Sequence, residues 1–209
     1  MKMMRDRVCV VVTVAIVCGA MVLAPTRCAG QGEQGKVERV YGTAQRDDAG
    51  AAAAFQQMTT VLHHPRCMNC HTAGDFPRQG DDGHPHTMVV RRGRLGNGVT
   101  AQKCSTCHQN HNLEGLHMPP GAPGWEMPPR ATPMIWSGLT DRQLCEVIKD
   151  PNQNGHRDVD HIVEHMTTPA LVLWGWHPGE GRTSISMSQA EFAQKTKEWA
   201  AKGAACPAE

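Results

Sequence analysis

Apolar residues recur with helical spacing in four stretches of this chain. Between 46 and 62, Phe55, Met58 and Leu62 form a stripe at i, i+3 and i+7 beside the good helix formers Ala51 to Ala54. Asp47 and Asp48 sit at its start, where carboxylates meet the positive end of a helix dipole. His63-His64-Pro65 closes it, since Pro65 disfavours helix at His64. A second helix is predicted after Thr140, with Gln143 completing a capping box, a buried face of Leu144, Val147 and Ile148, and a stop at Asp150-Pro151. A third runs from Asp158 to Thr168 and is ended by Pro169. The fourth begins at Ser188 with Glu191 as box partner, turns Phe192 and Trp199 inward and ends at Gly203.

The rest of the pattern is punctuation. Residues 72–103 carry Gly74, Pro77, Gly80, Gly83, Pro85, Gly93, Gly96 and Gly98, which predicts loops, with Thr87 to Val90 as a short strand. His117 to Trp125 is too proline-rich for helix or central strand and reads as a stiff wrapping loop. At the other end, Lys2, Arg5 and Arg7 precede an apolar run from Val8 to Leu23, and Cys28-Ala29-Gly30 offers a cleavage site. Residues 1–30 are therefore expected to be an export signal, with an uncleaved anchor as the alternative. The run is short for a full span. Membrane contact is expected only through this signal, and the mature chain is expected in the periplasm. Residues 31–45 read as a flexible lead-in and 46–209 as the folded domain.

Composition changes the picture. The 209 residues include one Tyr, three Phe and five Trp against 12 His, 12 Met, 14 Pro and 21 Gly, which makes a thin core unless something apolar fills it. A net charge of +1 gives no reason to expect nucleic acid. Two strings explain the deficit: Cys67-Met-Asn-Cys70-His71 and Cys104-Ser-Thr-Cys107-His108. Each is C-x-x-C-H, the attachment signature of c-type haem. The thiols add across the two haem vinyls, and the adjacent histidine becomes the proximal ligand of the iron. A zinc ribbon is the main alternative, but it leaves both histidines unexplained. A thioredoxin-like pair lacks its βαβ setting. Two covalently bound haem c groups are expected, held by Cys67, Cys70, Cys104 and Cys107, with His71 and His108 on the irons. The fold class follows: mainly α with long irregular Pro/Gly-rich loops, helices packed around two haems. Cleavage would remove Cys9, Cys18 and Cys28, leaving Cys145 and Cys206 beyond the motifs. They form either a disulfide or one buried and one exposed thiol. The cluster Arg91-Arg92-Gly93-Arg94 reads as haem-propionate partners or as a solvated loop.

The string His64-Pro65-Arg66-Cys67-Met68-Asn69-Cys70-His71 resembles a group of small exported proteobacterial proteins, the isoquinoline 1-oxidoreductase subunits. Pro119 to Pro123, Leu171 to Trp176 and Gly203 to Pro207 resemble the same group. The resemblance implies an electron-transfer subunit beside a molybdenum-containing dehydrogenase. It does not imply hydroxylase activity, because four of the six mature cysteines are committed to haem.

The sixth ligand decides what each iron does. His86 lies between the motifs in a loop that must fold back over a haem, and its rival His84 is restricted by Pro85. His165 flanks Ile162 on the apolar stripe of its helix, whereas His161 points away. His86 and His165 are the leading distal candidates. His64 and Met134 rank lower, with His111, Met118 and Met127 behind them. Met118, Trp125 and Met127 read mainly as apolar cover for a haem face. The chain has no Walker loop, no G-x-G-x-x-G and no G-x-S-x-G. The expected role is electron relay between a periplasmic dehydrogenase and a respiratory acceptor. The alternatives are a peroxidase-type enzyme with one open haem, and a haem-based sensor or structural subunit of a redox complex.

Overall fold

The structure, a computed structural model, describes residues 45–209. The export signal and all but the last residue of the lead-in lie outside the described residues. Within them the chain is mainly helical, with six α-helices and two ribbons of very short strands.

Helix α1 spans Asp48–Leu62; the Asp47 carboxylate caps it by accepting the Gly50 amide at 2.8 Å. Its inner face is Ala51, Ala54, Phe55, Met58, Val61 and Leu62. After a two-residue break, Pro65 opens the single turn α2 (Pro65–Met68), where its missing N–H costs nothing. Helix α3 (Asp141–Lys149) has the full reciprocal capping box of Thr140 and Gln143. Helix α4 (Val159–Thr167) is capped by Asp158, which accepts the His161 amide at 2.9 Å. As expected, α4 stops before Pro169. Pro169 precedes a further turn, α5 (Ala170–Leu173), which runs into a 3₁₀ turn at Trp174–Trp176. Helix α6 (Gln189–Ala201) starts at Ser188, whose hydroxyl accepts the Glu191 amide at 3.2 Å. It closes on Gly203, left-handed at φ +103°, with Gly203 bonding back to Ala200 and Ala204 to Trp199.

Helix α6 packs along α1 and α4, and α3 packs against both of those helices. Their shared core includes Phe55, Met58, Leu144, Ile148, Ile162, Phe192 and Trp199, each at most 3% exposed. A disulfide joins Cys145 of α3 to Cys206, 61 residues on, so the first of the two readings of that pair holds. Closing a loop of that length contributes on the order of 4 kcal/mol in the chain-entropy account.

The loop region departs from expectation in two places. Thr87 to Val90 is not a strand: Val89 takes a left-handed φ of +53°, which breaks an extended run. The antiparallel pairs are instead β1 (Arg78–Gln79) with β2 (His84–Pro85), and β3 (Gly98–Val99) with β4 (Gln102–Lys103). The basic cluster is neither a solvated loop throughout nor a set of free cations. Arg92 is 1% exposed, and its guanidinium donates to four carbonyls: Pro128 at 2.9 Å, Pro133 at 3.1 Å, Thr72 at 3.1 Å and Gly74 at 3.0 Å. It clips the chain after Cys70-His71 to the loop that precedes α3. Arg91 lies over the Phe76 ring, 4.7 Å from its centroid.

Candidate haem sites

Both C-x-x-C-H strings fold into the same turn. In the first, the Cys70 and His71 amides donate to the Cys67 carbonyl at 3.2 and 3.1 Å. In the second, the Cys107 and His108 amides donate to the Cys104 carbonyl at 3.2 and 3.0 Å. The turn begins within α2 in one case and is the 3₁₀ segment Cys104–Thr106 after β4 in the other.

The histidines share a second arrangement. His71 Nδ1 lies 3.0 Å from the Met134 carbonyl and His108 Nδ1 lies 2.7 Å from the Pro120 carbonyl. A carbonyl only accepts, so each Nδ1 carries the proton and each Nε2 keeps a free lone pair. This is the tautomer of a metal-ligating histidine whose far nitrogen is fixed by a backbone oxygen. Each ring also lies flat on an indole. His71 stacks on Trp136 at 3.7 Å and His108 on Trp125 at 4.5 Å, both within 5° of parallel. The carbonyl and the indole come from one loop in each case, Met134 with Trp136 and Pro120 with Trp125. Gly121 makes the second loop possible, since a Cβ there would collide with the Gln109 and His111 carbonyls.

Around the first motif is a cavity enclosing about 1230 Å³ of atom-free space, its open mouth included. Cys67, Cys70, His71 and His165 line it together with Met134, Leu171, Val172 and four of the five tryptophans, Trp125, Trp136, Trp174 and Trp176. Burial pushes the Cys67 thiol up to about 12 and Cys70 up to about 11, opposite to a reactive redox pair, whose thiols are depressed. Burial also holds His71 down to about 3, against the pull of the Met134 carbonyl, and lowers His165. Two buried donors among the lining residues, Arg66 Nε and Trp136 Nε1, have no partner. A large apolar group bearing carboxylates suits that lining, since it fills the cavity and supplies acceptors.

The leading distal candidates divide between the two sites. His165 shares the cavity with His71, close enough for its charge to lower the His71 pKa. His161 is exposed and bonds Asp158 at 2.7 Å. His86 faces the second motif: its ring centroid is 6.1 Å from that of His108, at 67°. At that separation the two imidazoles would be able to hold one haem iron together. The Met88 amide makes a long 3.5 Å contact with His86 Nδ1, which ligation through Nε2 would have to displace. His64 is committed elsewhere. Its Nδ1 accepts the Arg66 amide at 3.2 Å as the cap of α2, which leaves the proton on Nε2, the reverse of His71. Met134 lines the first cavity, and its carbonyl is the one that holds His71. Trp125 and Met127 line the same cavity, while Met118 is 42% exposed.

Sequence reasoning left Trp136, Trp174, Asn112 and Arg66 without roles. Trp174 Nε1 donates to Asn112 Oδ1 at 2.9 Å, and the same oxygen accepts the Gly121 amide at 3.0 Å. The signal for the indoles was compositional: five tryptophans in a chain with one tyrosine. Among the described residues no group of three or more His, Cys, Asp or Glu is placed to hold a bare metal ion. A haem iron asks for only two axial side chains. No described helix is long and apolar enough to cross a membrane. Compared with known proteins, the chain matches no family model, no curated protein and no solved structure.

Proposed function

We propose that this protein is an exported dihaem c-type cytochrome that relays electrons. The observation that carries the reading is the repeated constellation of the two C-x-x-C-H turns. In both, the histidine is tautomerically fixed by a carbonyl and oriented by a parallel indole, with Nε2 left to bind. Haem c would be held through Cys67 and Cys70 with His71, and through Cys104 and Cys107 with His108, and it supplies one-electron chemistry at each site. His165 would be the second histidine to hold the group in the first site, and His86 in the second. Two histidines for each group would favour relay over a peroxidase-type enzyme, which needs an open position. The partners are redox proteins of the periplasm, a molybdenum-containing dehydrogenase as donor and a respiratory protein as acceptor. The protein's part is to bind the groups covalently, fix the ring planes of His71 and His108, and keep water from the buried site.

The test is a pyridine haemochrome assay on the protein purified from an exporting, haem-attaching host. The expected result is two covalent haems per chain, both low-spin when oxidised. A haem-free chain with stoichiometric zinc overturns the reading. A high-spin component that shifts with cyanide moves it to the enzyme.

A further inference from the structure

The indole of Trp125 belongs to both sites. It lies parallel to the His108 imidazole at 4.5 Å. It also meets the Trp174 indole edge-on, at 4.9 Å and 81°, and both indoles line the cavity that contains Cys67, Cys70, His71 and His165. This contact is fixed from behind. Asn112, four residues after His108, accepts from Trp174 Nε1 and from the Gly121 amide, and its own Nδ2 donates to the His177 carbonyl at 2.8 Å. The loop that carries the proximal carbonyl of the second site is thereby fastened to the wall of the first. Trp136 supplies an internal contrast. It stacks on His71 just as flatly, but it lines the first cavity and makes no such contact with the second motif.

We propose that Trp125 is the electronic bridge between the two sites. The inference rests on the dihaem reading. One electron leaves the reduced iron of one site and arrives at the oxidised iron of the other through the His108 imidazole and the Trp125 indole. The indole ends unchanged, no bond forms or breaks, and no proton moves. The initial electron comes from the redox partner. Contiguous π-systems in van der Waals contact carry electronic coupling better than aliphatic packing across the same gap, and Trp125 is the side chain that touches one proximal ring and lines the other cavity.

The experiment uses the haem-loaded protein and three variants, Trp125→Phe, Trp125→Leu and Trp136→Leu. Haem content is counted first. The protein is then reduced by one electron in a photochemical flash, and equilibration between the two haems is followed in their visible bands. Trp125→Leu is expected to slow equilibration by about tenfold or more, with Trp125→Phe within about threefold of the parent and Trp136→Leu slowed less than Trp125→Leu. Trp136→Leu should alter the spectrum of the first haem only. Two haems per chain with an unchanged rate in Trp125→Leu sink the bridge and leave the dihaem reading standing. Equal slowing by Trp136→Leu also sinks it, since the effect would then be general loosening. Loss of haem from both Trp125 variants makes the residue a packing element and overturns the proposal. Absence of haem from the parent protein removes the dihaem reading and the bridge together.

Discussion

The first C-x-x-C-H turn leaves a fifteen-residue helix through one proline-started turn, and it is walled by α4, α5 and the 3₁₀ turn of Trp174. The second leaves a two-residue strand in a loop region, with Cys107 exposed and apolar Met88, Val89 and Leu116 more than half exposed on loops nearby. The local geometry is the same and the setting is opposite. A helical platform gives the first turn a largely apolar cavity lined in part by residues of the large described hydrophobic core. A loop platform gives the second turn access to solvent. For a relay the difference is useful: one site is insulated, and the other is reachable by a partner. It also means that the two sites carry unequal weight in the fold.

The largest expected effect follows from that inequality. Replacing Cys67 and Cys70 with Ala should prevent attachment at the insulated site and leave its cavity unfilled inside the core. A loss of several kcal/mol, on the order of 10 °C in Tm for a chain of this size, is expected. The matching change at Cys104 and Cys107 should remove one haem and lower Tm by no more than about 3 °C. Calorimetry on the two double variants checks both numbers. Equal losses would mean that the second site is as much a part of the core as the first.

Arg92 offers a way to break the tie between the regions. It satisfies the Thr72 and Gly74 carbonyls behind the first motif and the Pro128 and Pro133 carbonyls that flank the indole loops. Arg92→Met removes the donors and leaves those carbonyls buried, at a cost of about 3–5 kcal/mol. Arg92→Lys should recover less than half of that, because an ammonium cannot fork to four planar acceptors. Denaturant titration should show a lower midpoint at an unchanged slope. If haem potentials change while stability does not, Arg92 is a propionate partner after all.

The helical half was readable because its signals are local. Thr140 and Ser188 cap the helices expected of them, Asp47 and Asp158 stand at the starts of two more, and the stripes that follow supply the buried faces. The motifs themselves are fixed strings. What the sequence did not show was everything that depends on a loop's return path. Nothing local tells Arg92 that four carbonyls will surround it, or tells Val89 that its φ will be positive. Nothing local places Trp136 on His71 from 65 residues away. The same holds for α5, which is too short to show a period. The candidate ligands sit between these limits. His165 was legible because a helix fixes its direction, whereas His86 rested on loop length alone.

That contrast can be tested with three histidines. His165 is on α4 between the buried Ile162 and Met166 and lines the insulated cavity. His165→Ala should leave both haems attached, because attachment depends on the cysteines. It should turn the first haem high-spin and shift its potential. The vacancy lies in a largely apolar cavity walled by helices, so cyanide should bind there slowly. His86→Ala should do the same to the second haem, but in a loop open to solvent, so water and cyanide should enter fast and the stability change should stay within about 1 kcal/mol. His161→Ala removes an exposed side chain paired with Asp158 and should leave both spectra unaltered. Electron paramagnetic resonance of the oxidised variants separates the three. If His165→Ala keeps two low-spin haems, the ligand of the first site lies elsewhere, and Met134, which lines the same cavity, is the next side chain to replace. If His86→Ala keeps them while His165→Ala does not, the helix-mounted assignment stands and the loop-mounted one falls.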